Sequence, residues 1–288
     1  MFEFPEAVRL PLGDWVDAFM DLLLQNLAWL FDFIGAVGLQ VLLAVEEVLQ
    51  FIPWFVVIPL VGFLAWRALK SVKAALTMMV MLLVVGSFGY WQLAMNTLSV
   101  VIVSVIISIF LGVPIGILMA RSDRLEGILK PILDGMQTMP TFVYLIPALM
   151  LFGLGRVPAT FATIIYAIPP VIRLTNVGIR EVASDVVEAA QAFGSSTREI
   201  LFDVQLPLAK PSIMVGINQT TMMALAMVVI GSMIGNRGLG MEVLLAINRV
   251  EIGQGFEAGL SIVFLAIIID RITSSFAKND YQESRNAE

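Results

Sequence analysis

The reactive side chains of this sequence are few, and what is missing narrows the chemistry first. Cysteine and histidine are both absent from its 288 residues. That removes thiolate nucleophiles, disulfides, thiolate metal sites and the commonest general base and metal ligand. No Gly-x-x-x-x-Gly-Lys-Ser/Thr run occurs, so the chain has no Walker A phosphate loop. What remains is conformational and polar: Glu188-Ala189-Ala190 followed by Gly194, Val204, Leu206 and Pro207; the amides Asn218 and Gln219; Met139-Pro140 with Phe142 and Tyr144; and the glycines Gly235, Gly238 and Gly240.

Each group has a functional and a structural reading. Asn218 and Gln219, with Thr220 and Thr221 beside them, either line a polar translocation path or hydrogen-bond between helices, as amides in apolar helices commonly do. Met139, Pro140, Phe142 and Tyr144 combine aromatic faces, which attract a quaternary ammonium, with an adaptable thioether. They form either a cation-friendly stretch of a path or packing and interface anchors. Gly235, Gly238 and Gly240, with Gly231 before them, form either an external gate or an ordinary loop. Asp270-Arg271 reads as a pair snorkelling at a membrane boundary.

The elements that must hold these groups are apolar. Hydrophobic residues make up 59% of the chain and charged ones 14%, with a mean hydropathy of +0.91, whereas a soluble domain carries about a quarter charged residues. A bilayer core takes ~20 apolar residues in a helix. Stretches near 51–69, 75–93, 97–119, 137–155, 159–176, 212–234 and 257–276 meet that need, which predicts seven spans. In the third, Ser99, Ser104 and Ser108 are expected to return their hydroxyls to the helix backbone. Pro114 and Gly116 are tolerable there because neighbouring helices satisfy the freed backbone groups. Of 17 Lys and Arg, all but Arg9, Arg156, Arg237 and Arg249 fall in alternate loops or at the C-terminus. The positive-inside rule places that majority in the cytoplasm. Seven spans then leave the C-terminus inside and the N-terminus outside. The net charge of −6 and the lack of a basic block speak against a nucleic-acid partner. The N-terminus has no basic region of a cleavable signal peptide.

Residues 1–50 have two readings. Asp14, Asp17, Asp21 and Asp32 punctuate an apolar stretch before Glu46-Glu47. The preferred reading is an amphipathic, membrane-associated or scaffold segment lying along the membrane, since a carboxylate at depth is costly. The other is an eighth span near 27–45. Residues 51–276 form the transmembrane domain and 277–288 a polar cytoplasmic tail.

The loop 177–211 is too polar to span and too patterned to be slack. Ser184-Asp185 starts a helix, Gly194 supplies a left-handed end, Ser196-Thr197-Arg198-Glu199 reads as a capping box, and Pro207 is expected to stop the second short helix. Ala189 and Ala190 present a small, close-packing surface suited to a groove on a partner.

This spacing resembles the EAA loop of ATP-binding-cassette importer permeases: Glu-Ala-Ala, three residues, Gly, nine residues, Ile, one residue, Leu-Pro. Val204 stands where the pattern has Ile; every other position matches. Gly135-Met136-Gln137-Thr138-Met139-Pro140-Thr141-Phe142-Val143-Tyr144-Leu145-Ile146-Pro147, Ala167 to Arg173, Gly216-Ile217-Asn218-Gln219 and Gly238-Leu239-Gly240 resemble the branch importing glycine betaine, proline betaine, choline and carnitine. The likeness runs from about residue 50 to 275.

The resemblance implies an all-α, polytopic type I importer fold in the bacterial cytoplasmic membrane. It implies a second permease copy, two ATPase subunits that bind ATP and Mg, and an extracytoplasmic substrate-binding protein docking at the outer gate. The chain itself would carry no cofactor, metal or catalytic residue; Glu188, Ala189, Ala190, Gly194, Leu206 and Pro207 would couple it to the ATPase. An ion-coupled secondary transporter is the competing class. It normally needs an ionisable group at mid-depth. None of the seven apolar cores shows a clear one, although backbone carbonyls can bind sodium. A permease for a different small solute is the competing substrate reading.

Overall fold

The computed structural model describes residues 10–286, with side chains described as far as residue 275. Residues 1–9, Arg9 among them, and the side chains of the tail 277–288, including Lys278 and Arg285, lie outside that range. Among the described residues all regular structure is helical: α1 (Leu12–Phe51), α2 (Trp54–Leu69), α3 (Val72–Ser87), α4 (Trp91–Ala120), α5 (Asp123–Thr138), a 3-10 turn (Thr141–Tyr144), α6 (Leu145–Phe152), α7 (Arg156–Ala167), α8 (Pro169–Arg180), α9 (Ser184–Ala192), α10 (Thr197–Glu199), a π-helical segment (Ile200–Gln205), α11 (Leu206–Gly231), α12 (Leu239–Arg249) and α13 (Ile252–Asn286).

The expected spans map onto this order with instructive differences. α4 matches the third, and Ile252–Ser275 matches the last. The fifth is a 25-residue run, Arg156–Arg180, and the sixth is part of a 38-residue run, Thr197–Ile234. The first two become α2 and α3, of 16 residues each. At about 1.5 Å per residue each reaches ~24 Å, short of a ~30 Å hydrocarbon core. α3 ends early because the chain turns through Gly89 at φ +80, so residues 91–93 open α4 instead of closing the second span. The fourth is a broken element: Asp123–Thr138 and Thr141–Phe152 are bent by 110°. Pro140 has no N–H to donate and holds Met139 in an extended conformation at ψ 137.

Residues 12–51 form one continuous helix of 40 residues, long and apolar enough to cross a membrane. Met20 is buried in its first half, and its second half carries specific contacts. Phe31 meets Phe152 edge-on, Leu42 joins the cluster of Val100, Val101 and Val103, and the Gln50 and Asn96 side-chain amides lie 2.8 Å apart. Glu46 pairs with Arg156 at the start of α7.

α8 is packed between α4 and α11. Glycines permit that closeness. A Cβ at Gly112 would lie 2.4 Å from Val171 Cγ1, and one at Gly116 would lie 2.6 Å from Thr175 Cβ and 2.7 Å from the Ile172 carbonyl oxygen. On the other side a Cβ at Gly178 would lie 2.7 Å from Ser212 Cβ, and one at Gly216 would lie 3.1 Å from Val171 Cα. Small residues at such seams let backbones approach where water provides no driving force between helices. Gly116 is therefore a packing residue rather than one merely tolerated. Ser99 returns its hydroxyl to the Asn96 carbonyl at 2.8 Å as expected. Ser104 and Ser108 do not: both are fully buried without a hydrogen-bond partner.

Candidate functional site

The loop after α8 folds into a turned helix with a free outer face. α9 has no fully buried residue. Val187 and Ala190 are half-buried on its inner side; Val186, Glu188, Ala189 and Phe193 face outward. Val186, Ala189 and Phe193 fall at i, i+3 and i+7, one stripe of a helix, and Phe193 is 91% exposed. Gly194 then turns the chain at φ +86, and a Cβ added there would meet nothing within 4 Å. Backbone conformation alone therefore favours glycine at this position.

The capping box is formed in full. The Ser196 N–H donates to Glu199 Oε2 at 2.6 Å, and the Glu199 N–H donates to Ser196 Oγ at 3.3 Å. Hydrogen bonding from the Ser196 backbone N–H, and then from the Ser196 hydroxyl, holds the Glu199 carboxyl below its ordinary range. Past it the helix does not stop. α10 leads through the π-helical segment directly into α11, so Pro207 lies in the first turn of a 26-residue helix. The widened turn at Ile200–Gln205 accommodates a residue that cannot donate to the preceding turn. The sequence pattern predicts two short helices joined at Gly194; the second is instead the opening of the long helix, which links the loop rigidly to the membrane core. Ile200 and Leu201 are buried, and Leu206 packs toward the Ile179, Leu201 and Ala209 cluster. Pro207 is exposed. Arg198 covers the Phe202 ring at 5.9 Å.

The expected path residues do not share one surface. Met139, Pro140, Phe142 and Gln219 are exposed or half-exposed. Tyr144 is buried: its hydroxyl donates to the Met136 carbonyl and its ring meets Tyr166 at 5.8 Å. Asn218 is engaged between helices, its Nδ2 donating to Asp270 Oδ1 at 3.1 Å while its Oδ1 accepts from Thr273. Asn218 and Tyr144 thus make the interhelical bonds and ring contact described by the bonding and packing reading. The same bonds place Asp270 against α11 rather than against Arg271.

At the other end of α11, Gly235 turns at φ +94 beside the Gly155 backbone. A Cβ at Gly238 would lie 2.6 Å from Thr97 Oγ1, which accepts from the Leu239 N–H at 2.9 Å, and one at Gly240 would lie 2.8 Å from Val229 Cα. Gly238 and Gly240 let the turn press against α4 and α11, while Gly235 supplies its left-handed backbone. Sequence reasoning passes over Phe193 and Val186. The available signal is an aromatic residue directly before the turn glycine in an otherwise polar loop.

Comparison with known proteins gives a consistent picture. The family described as binding-protein-dependent transport system inner membrane component matches residues 112–285. The glycine betaine/carnitine transport permease protein GbuB of Listeria monocytogenes is 44% identical over 97% of this chain and 100% of its own length. The glycine betaine transport system permease protein OpuAB of Bacillus subtilis is 45% identical over 93% of this chain and 94% of its own. The glycine betaine/proline betaine transport system permease protein ProW of Escherichia coli is 43% identical over 94% of this chain and 76% of its own. A solved chain of the MetNI methionine ABC transporter, in inward-facing form, covers 64% of this chain and 93% of its own length with a TM-score of 0.59 at 19% identity, which speaks to the fold alone.

Proposed function

The chain belongs to the binding-protein-dependent transport system inner membrane component family, and from that premise we propose that it is the membrane-spanning permease of an ATP-driven importer for glycine betaine or a related quaternary ammonium solute. The observation that carries the mechanism is the outward face of α9. Val186, Ala189 and Phe193 are exposed on a short helix beyond the apolar core, and the helix is joined through a glycine turn and a capped π segment to α11. A docking ATPase would seat that stripe in a groove, and closure of the ATPases would push on α11 through the rigid run that begins at Thr197.

In this reading two ATPase subunits bind ATP and Mg, a second copy of this chain completes the pathway, and a substrate-binding protein delivers the solute from outside to the turn at Gly235–Gly240. The location is the bacterial cytoplasmic membrane. The relatives named for glycine betaine, carnitine and proline betaine support the solute class. Met139, Phe142 and Gln219, not buried in the single chain, are assigned to the path or to the contact between copies; Asn218 and Tyr144 are assigned to holding neighbouring helices together.

Uptake of radiolabelled glycine betaine tests the assignment, in a strain without its own betaine systems that expresses this chain with its ATPase and binding protein. Uptake dependent on all three components is expected. Entry that persists without the ATPase would point to the ion-coupled class. Failure of betaine, carnitine, choline and proline betaine alike would overturn the substrate class.

A further inference from the structure

At the inner end of α8, Arg180 is held on four sides. Its Nη1 meets Asp123 Oδ1 at 2.7 Å, its Nη2 meets Glu126 Oε2 at 3.2 Å and donates to the Met119 carbonyl at 3.1 Å, and its Nε donates to Asn176 Oδ1 at 3.0 Å. Asn176, 3% exposed, closes the network by donating to Glu126 Oε1 at 3.1 Å. One side chain thus joins the end of α8 to the end of α4 and the first turn of α5. Further along, Arg173 pairs with Asp134, a second tie between α8 and α5.

The position is as informative as the bonds. Arg180 stands just before α9 and lines a cavity of about 390 Å³ with Val187 and Gln191 of α9, and Ile200, Leu201 and Gln205 of the π segment. The space lies between the loop helices and the inner ends of α4 and α8. α5, held by the clasp, leads directly into the Pro140 break and the 110° bend before α6. Asp123 is 91% exposed and Arg180 30%. Only the Asp123 arm is exposed enough to add little to stability; Glu126 is largely covered and Asn176 buried, so the clasp fastens α5 firmly to the end of α8. It is well placed as a tie between α5 and the end of α8 from which the loop springs. The guanidinium suits this work because its fixed fork of five donors reaches two carboxylates and a carbonyl together, which a single ammonium does not.

We infer that Arg180 is a positioning residue that carries the movement of the 184–205 element into α5, and through α5 into the bent element at Met139–Phe142. The inference rests on the proposed coupling role of α9. ATP hydrolysis would be triggered through the loop, while the clasp determines whether the broken element follows.

The test uses the full chain with its ATPase and binding protein in proteoliposomes. Arg180→Gln removes the clasp from one side and the double variant Asp123→Asn/Glu126→Gln from the other. Both should keep normal membrane abundance, hold the ATPase and hydrolyse ATP in response to loaded binding protein, yet lose uptake by about tenfold, a size typical of coupling lost without loss of a binding site. Arg180→Lys should fall between. Wild-type uptake in both variants, or hydrolysis and uptake falling in proportion, overturns the inference. If Arg180→Gln fails to accumulate, the double variant decides alone, since its amides keep the shape of both carboxylates and leave Arg180 itself in place. An unmodified chain that does not hold the ATPase would remove the coupling reading itself, a result distinct from either of these.

Discussion

At the scale of single residues, Gly194 and Gly116 show how one residue type does two jobs. Gly194 sits at φ +86 in open space, so a side chain there would meet no neighbour and would cost only the left-handed backbone, about 1–2 kcal/mol. Gly116 has ordinary helical backbone but no room: a Cβ would lie 2.6 Å from Thr175 Cβ and 2.7 Å from the Ile172 carbonyl oxygen. Backbone cannot retreat like the end of a flexible side chain, and overpacking of this kind costs roughly 1–3 kcal/mol or more. Gly116→Ala should therefore lower the thermal transition of the detergent-purified protein and its membrane abundance. Gly194→Ala should lower the thermal transition less and leave abundance near wild type, because its strain is confined to the loop turn. An equal effect of the two on the thermal transition would show that the α4–α8 seam is not as tight as described. Gly194 is legible in the sequence because its role is local, read from a helix end and a capping signal. Gly116 is not, because nothing in its neighbourhood along the chain shows that Thr175 lies against it.

The same division holds for elements. The Ser196–Glu199 capping box and the exposed α9 are readable because hydrogen bonds three residues apart decide them. The run through Pro207 is not. A proline usually ends a helix, but here the π-helical turn at Ile200–Gln205, seated by Ile200 and Leu201 in the core, opens the preceding turn and lets the helix continue. The short α2 and α3 and the bend at Pro140 are likewise set by packing and by single turns inside apolar runs whose composition looks continuous. α1 is the clearest case. Its four aspartates favour a helix lying along the membrane, yet its contacts run antiparallel to α4: Gln50 lies by Asn96, Leu42 by Val100 to Val103, and Ile34 shares a cavity with Ile107. Since α4 ends at Arg121, on the side assigned to the cytoplasm, α1 should enter from that side. Its 40 residues reach about 60 Å, enough to cross and project beyond the bilayer. Because the chain has no cysteine, single substitutions report cleanly. A cysteine at Asp14 should react with an impermeant thiol reagent only in inverted vesicles, and one at Phe51 only in intact cells. Reaction of both from one side would mean that α1 lies along that face.

Across the molecule, the proposed mechanical path has two branches from α9: one runs through the capped π segment into α11, the other back through the end of α8 and its clasp to α5, and α8 is locked between α4 and α11 by small residues. An ATPase is proposed to take hold of this path at α9. The decisive experiment is ATP hydrolysis by the reconstituted assembly, with and without loaded binding protein, when the permease carries Phe193→Asp. Phe193 is 91% exposed and outside the core, so abundance and thermal transition should not change. Burying an unpaired carboxylate in an apolar groove is costly, so the ATPase should co-purify poorly, and stimulated hydrolysis and uptake should fall together. Full ATPase binding, normal stimulation and wild-type uptake in Phe193→Asp would rule out α9 as the docking helix.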